Sequence, residues 1–396
     1  MSAKLNDVTH NLKPYPMEQL AAIKRDLVRQ GKPVYDFGTG DPNIEVEPFI
    51  VKAVKDAVPA ISSYPPIAGT ADLEDAHKTY LKNRFGFSAF EKIAMLPTRG
   101  SKEAVFHLAL SVVGRQGRKT VLYPDPGYPV YKSSTLFAGG TPVAMPLSEK
   151  NHYLLEPWNL PKEVISDTAA IWINYPHNPT GKTVDIKYLE KFSKFCQDED
   201  ILILSDDCYI DIYHQKFDQD TYSDQKPPLI LDVSCQNTVC LFSLSKRSGL
   251  TGYRAGFLVG DKNVVTPLKR ARANMGLGQP TFVAAGAEVA WKDESHVARR
   301  RDIFTKRMDL VSSRLTEMKV DHLKPEATFY IWARVPAGFN SDESFCLELA
   351  KLGVITSPGS WLGESSKGYF RLAMVPGDEE TLKAMDIMES FVRGNS

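Results

Sequence analysis

The sequence predicts an α/β protein: a large domain built on a three-layer, mostly parallel sheet, with a smaller α+β domain attached. Three observations predict it. Apolar runs of strand length alternate with helical patterns through the middle of the chain. Such taking of turns implies parallel strands joined by crossover helices and buried on both faces. Near residue 294 the alternation gives way to a long amphipathic helix, followed by short strand-like pieces with helices between and after.

The expected strands of the large domain are Thr120-Val-Leu-Tyr, Ala169-Ala-Ile-Trp-Ile-Asn, Ile201-Leu-Ile-Leu-Ser-Asp, Thr238-Val-Cys-Leu-Phe-Ser and Gly256-Phe-Leu-Val-Gly. Helical patterns run from Ser101 to Val113 and from Ile186 to Cys196. In the long helix Phe304, Met308, Val311 and Leu315 recur at helical spacing and form the expected buried stripe. Strand-like pieces follow at Ala327-Thr-Phe-Tyr-Ile-Trp and Tyr369-Phe-Arg-Leu-Ala-Met. The expected division is a large domain over 48–293 and a small one made of 1–47 and 294–396. The chain shows no internal repeat or low-complexity tract.

Composition narrows the partners. The 396 residues are 43% hydrophobic and 24% charged, ordinary values for a chain with a sizeable core. Lysine plus arginine and aspartate plus glutamate both number 48, which favours neither nucleic acid nor an anionic membrane as partner. Cysteines 196, 208, 235, 240 and 346 form no C-x-x-C pair, so a reducing compartment is expected and a structural zinc site is not. The first residues form no apolar signal segment, and no apolar run reaches spanning length. A soluble cytoplasmic protein without a metal is the expectation.

In open α/β sheets ligands sit beyond the carboxyl ends of the strands. Each such end here delivers a different group. Tyr128 follows the first strand on a tight turn, Asn174 to Gly181 follows the second, Asp206, Asp207 and Tyr209 follow the third, and Lys246 and Arg254 follow the fourth. Competing motifs fail. Gly181-Lys-Thr resembles the tail of a phosphate-binding P-loop, but Pro176 stands where that loop needs glycine. Ser243-Leu-Ser-Lys246 matches S-x-x-K, but the S-D-N and K-T-G of a serine-nucleophile enzyme are missing. The eight histidines include no H-E-x-x-H.

A lysine, a carboxylate, a phenol, an aromatic ring and a phosphate cradle together suit pyridoxal phosphate. The lysine amine condenses with its aldehyde, and the carboxylate keeps its ring nitrogen protonated. The chain resembles fold-type I, class I/II aminotransferases across essentially its whole length. The resemblance rests on Gly40-Asp-Pro, Tyr64-Pro-Pro-Ile-Ala-Gly, Thr98-Arg-Gly-Ser-Lys-Glu-Ala, Tyr128, Asn178-Pro-Thr-Gly, Asp206-x-x-Tyr209, Ser243-Leu-Ser-Lys246 with Arg254, and Arg371.

The resemblance implies roles residue by residue. Lys246 would carry the cofactor and shuttle the proton, Asp206 would pair with the ring nitrogen, and Asp207 would be its solvated neighbour. Tyr209 and Asn178 would bind the phenolic oxygen, and Tyr128 would stack on the ring. Gly100, Ser101 and Lys102 open a helix whose free N–H groups attract a phosphate. Ser243 and Arg254 would add donors. Tyr64 would reach the phosphate of a second subunit, implying a homodimer with shared sites. Arg371 would clamp the substrate α-carboxylate with help from the Gly40 backbone and the Asn178 amide.

The resemblance also implies small amino-acid and 2-oxo-acid substrates, with glutamate as donor. Aspartate specificity is not expected, because Asn274 stands where the aspartate enzymes offer an arginine. Stretches at Pro14-Tyr-Pro-Met-Glu-Gln-Leu, Thr98–Phe106, Ser243–Leu250 and Ala290–Val297 resemble the N-succinyl-diaminopimelate aminotransferases of bacterial lysine biosynthesis. Arg99, Arg247 and Arg272 are candidates to hold a succinyl carboxylate. An aromatic or broad-specificity aminotransferase, or a C–S lyase on the same fold, would share nearly all of these residues.

Overall fold

The molecule is seen in a computed structural model that describes residues 5–11, 17–214, 226–276 and 278–394. Pro14-Tyr-Pro of the N-terminal stretch lies outside the described residues.

The chain forms β1 (Tyr35–Asp36) and then a seven-stranded sheet: β2 (Ile93–Thr98), β3 (Thr120–Asp125), β4 (Thr141–Pro146), β5 (Thr168–Ile173), β6 (Leu202–Asp206), β7 (Thr238–Ser243) and β8 (Gly256–Asp261). The sheet order is β2-β8-β7-β6-β5-β3-β4. All neighbouring pairs are parallel except those made by β8, which runs antiparallel to β2 and β7.

Successive residues of each central strand enter opposite cores, as the period of two requires. Val121, Ala170, Trp172, Leu202, Leu204, Val239 and Leu241 face the helix Ser101–Val112 through Val105 and Leu108. Leu122, Ile171, Ile203, Cys240 and Phe242 face the other way, against Tyr80, Phe192 and Trp291. Both faces are covered, which gives three layers. The helices begin where side chains satisfy orphan N–H groups. Thr70 accepts from Leu73 N and Asp185 from Tyr188 N, caps worth about 1 kcal/mol each.

The sequence reading did not single out β2 and β4. Pro97 interrupts the first apolar run, and β4 is an edge strand, half-buried along Pro142-Val-Ala, whose proline an edge tolerates.

The remaining strands are β9 (Tyr330–Arg334), β10 (Val354–Ile355), β11 (Ser357–Pro358) and β12 (Tyr369–Ala373). β11, β12 and β9 form an antiparallel sheet, and β1 pairs in parallel with β10, so the N-terminal segment joins the C-terminal third. Phe304, Met308, Val311 and Leu315 are buried on the helix Ser295–Glu317, against a core that includes Phe329, Phe370 and Met388. Tyr209 and Ile212 belong to that same core. The segment leaving β6 therefore packs against the β9–β12 sheet, and a cleft forms between the two sheets.

Candidate active site

A cavity of about 540 Å³ opens at the carboxyl ends of β5, β6 and β7. Of the residues singled out in the sequence, Gly40, Ser101, Lys102, Tyr128, Asn178, Asp206, Tyr209, Ser243, Lys246, Arg254 and Arg371 line it. Gly100 stands just before, as the N-cap of helix Ser101–Val112. Tyr64 is 94% exposed and does not line this cavity.

Strand pairing explains the convergence. Ser243 at the end of β7 lies opposite Gly256 at the start of β8, and Gly256 lies opposite Thr98 at the end of β2. Arg254, two residues before β8, thus meets the start of helix Ser101–Val112. Its guanidinium donates to Thr251 O (2.7 Å) and Arg99 O (3.1 Å), and its backbone is left-handed at φ 57°. Gly100, at φ 81°, has no side chain for a reason beyond its backbone. A Cβ there would stand 2.3 Å from Arg254 Nη2.

Ser243 caps the four-residue helix Leu244–Arg247 by accepting from Ser245 N at 3.2 Å. That turn projects Lys246 into the cavity, where Nζ donates to the Gly40 carbonyl. Asp206 is buried, accepting from Tyr131 Oη (2.8 Å) and Cys208 N (3.3 Å). Burial outweighs those bonds and raises its pKa. A carboxyl in this state is stabilised as the anion by a cation at close range, which a protonated pyridine nitrogen supplies. Tyr209 Oη lies 2.9 Å from Tyr330 Oη. Arg371 donates to Asn178 Oδ1 (2.9 Å) and Gly38 O (2.9 Å), while its buried Nε meets no acceptor among the described residues.

The donor set fits pyridoxal phosphate: a helix start with a guanidinium and hydroxyls at one end, a buried carboxyl, and a lysine. Sequence reasoning missed Tyr131, Cys208, Tyr330, Trp361 and Leu362, which also line the cavity, and gave Asn174 a place on the rim but no role. Tyr131, stacked on Trp172 at 4.7 Å, holds Asp206, and Asn174 Nδ2 donates to Asp206 O at 2.7 Å. The signal for Tyr131 was its place three residues after Tyr128, at the start of the helix Val130–Phe137 that follows the turn.

Three expectations need correction. Asp207 is not solvated: it is buried, accepts from Ser205 Oγ at 2.9 Å, and burial pushes its pKa up to about 8. Arg247 cannot hold a succinyl group, because its guanidinium is buried on Asp211, Glu294 and the Ala290 carbonyl. Arg272 is buried and paired with Glu103 at 2.8 Å. Arg99 remains half-buried, donating to Gly278 O at 2.8 Å. Asn274 is exposed, with Nδ2 3.4 Å from Arg270 O.

A parallel-sheet α/β fold with a lysine, a buried carboxyl and an anion cradle at its strand ends defines a pyridoxal-phosphate site. The family described as aminotransferase class I and II matches residues 32–385, and the chain belongs to it. Members depend on pyridoxal phosphate, so the protein is a pyridoxal-phosphate-dependent aminotransferase. It is 33% identical to an LL-diaminopimelate aminotransferase of Aquifex aeolicus, over 96% of this chain and 97% of that one. It is 32% identical to LL-diaminopimelate aminotransferase 2 of Trichormus variabilis, over 95% of each. A substrate-bound BacF structure from Bacillus subtilis superposes with a TM-score of 0.91 at 23% identity, covering 99% of this chain and 98% of that one, a likeness of fold. Both sequence relatives are named for LL-diaminopimelate and not for its N-succinyl form, which the sequence stretches resembled.

Proposed function

We propose that the enzyme moves the amino group between an α-amino acid and a 2-oxo acid in two half-reactions. Glutamate and 2-oxoglutarate are one pair, and diaminopimelate, free or N-succinylated, is the other amino acid. One observation carries the α-amino-acid reading. Arg371 donates to the carbonyl of Gly38, and Lys246 donates to that of Gly40 on the same short segment. A guanidinium for a carboxylate and an amine for proton transfer thus rest on carbonyls two residues apart in one segment, which brings both to the same part of the cavity. The relatives' names support the diaminopimelate part.

The cofactor supplies an electron sink for the bond broken at Cα. The chain's own groups do the rest. Lys246 Nζ would take the proton from the substrate Cα and hold it for return. Asp206, held by Tyr131, would serve as the anion for the ring nitrogen. Tyr209 and Asn178 would hold the phenolic oxygen, and Tyr128 would supply a ring to stack on. Ser101, Lys102, Ser243 and Arg254, with the amides after Gly100, would hold the phosphate. Arg371, Asn178 and the Gly40 backbone orient the carboxylate, and the site is completed by Tyr64 of a second copy.

The test is a half-reaction screen on the cofactor-loaded protein with glutamate, LL-diaminopimelate and N-succinyl-LL-diaminopimelate. Conversion of the cofactor's absorbance to that of pyridoxamine phosphate by glutamate and one diaminopimelate form is expected. Release of a 2-oxo acid and ammonia without that conversion indicates a lyase instead. Borohydride reduction and peptide mapping must place the pyridoxyl group on Lys246.

A further inference from the structure

Tyr330 was not legible as a site residue, yet it touches the groups that serve both ends of the proposed reaction. It lies at the start of β9, is buried, and lines the cavity. Its hydroxyl is 2.9 Å from the hydroxyl of Tyr209. The Arg371 guanidinium carbon sits 4.4 Å from its ring centroid. Its hydroxyl also presses on Gly40 so closely that a Cβ there would come within 2.2 Å. Gly40 is in turn the acceptor of Lys246.

We propose that Tyr330 is a positioning residue with two separable functions: its hydroxyl tunes Tyr209 toward the cofactor's phenolic oxygen, and its ring fixes the Arg371 fork that takes the substrate carboxylate. This rests on the reading of the site given above. The first function follows from hydrogen-bond polarity. When Tyr209 donates its proton to an anionic oxygen, its own oxygen is left to accept, and Tyr330 Oη is the hydroxyl in reach. A tyrosine that accepts one hydrogen bond becomes a stronger donor of another. The second follows from the ring face, which attracts a guanidinium and holds its plane while Asn178 Oδ1 and Gly38 O hold two of its nitrogens. Tyr330 comes from β9 and Tyr209 from the loop after β6, so the contact also ties the two sheets across the cleft.

The two functions are tested by Tyr330→Phe, which removes only the hydroxyl, and Tyr330→Leu, which removes the ring as well. In the cofactor-loaded protein without substrate, visible absorbance is titrated against pH. Tyr330→Phe is expected to move the inflection upward by a few tenths of a pH unit, about 10–30% of the weight of the Tyr209 hydrogen bond that the lost hydroxyl strengthens. The direction is upward because an anionic oxygen that receives a weaker hydrogen bond holds the neighbouring proton more tightly. Its KM for glutamate should stay within about twofold of the parent, while Tyr330→Leu should raise KM about tenfold through the lost cation–π contact. Tyr209→Phe and Arg371→Lys are the controls. If Tyr209→Phe leaves the inflection in place, or Arg371→Lys leaves KM in place, the reading of the site itself fails. If both controls respond and Tyr330→Phe does not move the inflection, or Tyr330→Leu raises KM no more than Tyr330→Phe, the role of Tyr330 is overturned. Should Tyr330→Leu not fold, the near-isosteric Tyr330→Phe decides through the pH profile alone.

Discussion

Arg247 Nε donates to Asp211 Oδ2 at 2.9 Å, and both side chains are buried. The same carboxylate accepts from Tyr80 Oη (2.8 Å) and Arg84 Nε (2.9 Å), and Arg247 spends its other donors on Ala290 O and Glu294. Arg247 adjoins Lys246, and Asp211 is two residues from Tyr209. The pair therefore fastens together the two strand-end segments that carry the lysine and the phenol. A four-residue helix has little stability of its own, so its setting comes from such anchors.

Arg247→Leu removes one of the two guanidinium partners of the buried Asp211 carboxylate and leaves Arg84 as the other. The expected loss of stability is at most about 3–5 kcal/mol, the cost of stranding a buried charge outright. Urea unfolding measures it, and an unchanged midpoint would refute the anchoring role. The milder Arg247→Lys should lower kcat for every amino acid alike; a loss confined to the succinylated substrate would restore Arg247 as a substrate ligand.

How far this arrangement could be read from the sequence depended on the distance over which each signal acts. The strand ends were legible because apolar runs mark strands, and parallel strands bring their carboxyl ends to one rim. Lys246, Asp206, Tyr209 and Arg254 fell on that rim from local pattern alone. The burial of Asp207 was not legible: adjacent residues at a strand end point opposite ways, and nothing local says which side is covered. Arg247 looked like a free cation because its partners, Asp211 and Glu294, lie 36 and 47 residues away in sequence. Tyr330 lay in an apolar strand where an aromatic reads as core. Only the packing of β9 against the β6 loop makes it part of the site.

Asp207 yields a pH dependence with a defined sign. Its carboxyl titrates near 8 when folded, against an ordinary value of 3.8, because it is buried and near Asp206 and Asp211. Between those values the folded state holds a proton that the unfolded state has released. Stability attributable to this group is therefore greatest below the ordinary value and falls as pH rises toward 8, then levels off. Asp207→Asn cannot ionise and escapes that fall. Its stability relative to the parent should grow by about 1.4 kcal/mol per pH unit across the window. Urea unfolding of both proteins at pH 5 and pH 8.5 checks it, and a difference that stays constant with pH would dismiss the buried proton.

Gly100→Ala should act on the cofactor and not on the substrate. The new methyl group must displace the Arg254 guanidinium, and φ 81° is strained for alanine besides. Losing one charge-assisted bond to the phosphate lowers cofactor affinity by roughly ten- to a hundredfold. Equilibrium titration with pyridoxal phosphate reads this directly. At saturating cofactor, KM for glutamate should be nearly unchanged. Undiminished cofactor affinity would remove Arg254 from the cradle.

The last prediction concerns Tyr64 and the proposed second subunit. Tyr64 is 94% exposed and Ile61 beside it is 82% exposed, apolar surface that a docked partner would cover. Pro65 and Pro66, the next residues, pack their carbonyls against Gly278, whose own carbonyl is gripped by Arg99 just before the cradle. If Tyr64 reaches the phosphate of the other copy, Tyr64→Phe removes a hydrogen bond to a charged group, worth about 1.5–3 kcal/mol. The isolated fold should not notice, because so exposed a hydroxyl takes no part in the packing of its own chain. Mixing Tyr64→Phe subunits with Lys246→Ala subunits separates the alternatives. In a heterodimer the intact Lys246 and the intact Tyr64 come from different chains. A shared site is then rebuilt at one of the two positions, with parental cofactor affinity on half of the sites. If Tyr64 serves its own chain instead, the only lysine able to bind the cofactor belongs to the subunit that has lost the hydroxyl, and the weakened affinity persists in every mixture. Parental affinity in the Tyr64→Phe homodimer would remove Tyr64 from the site altogether.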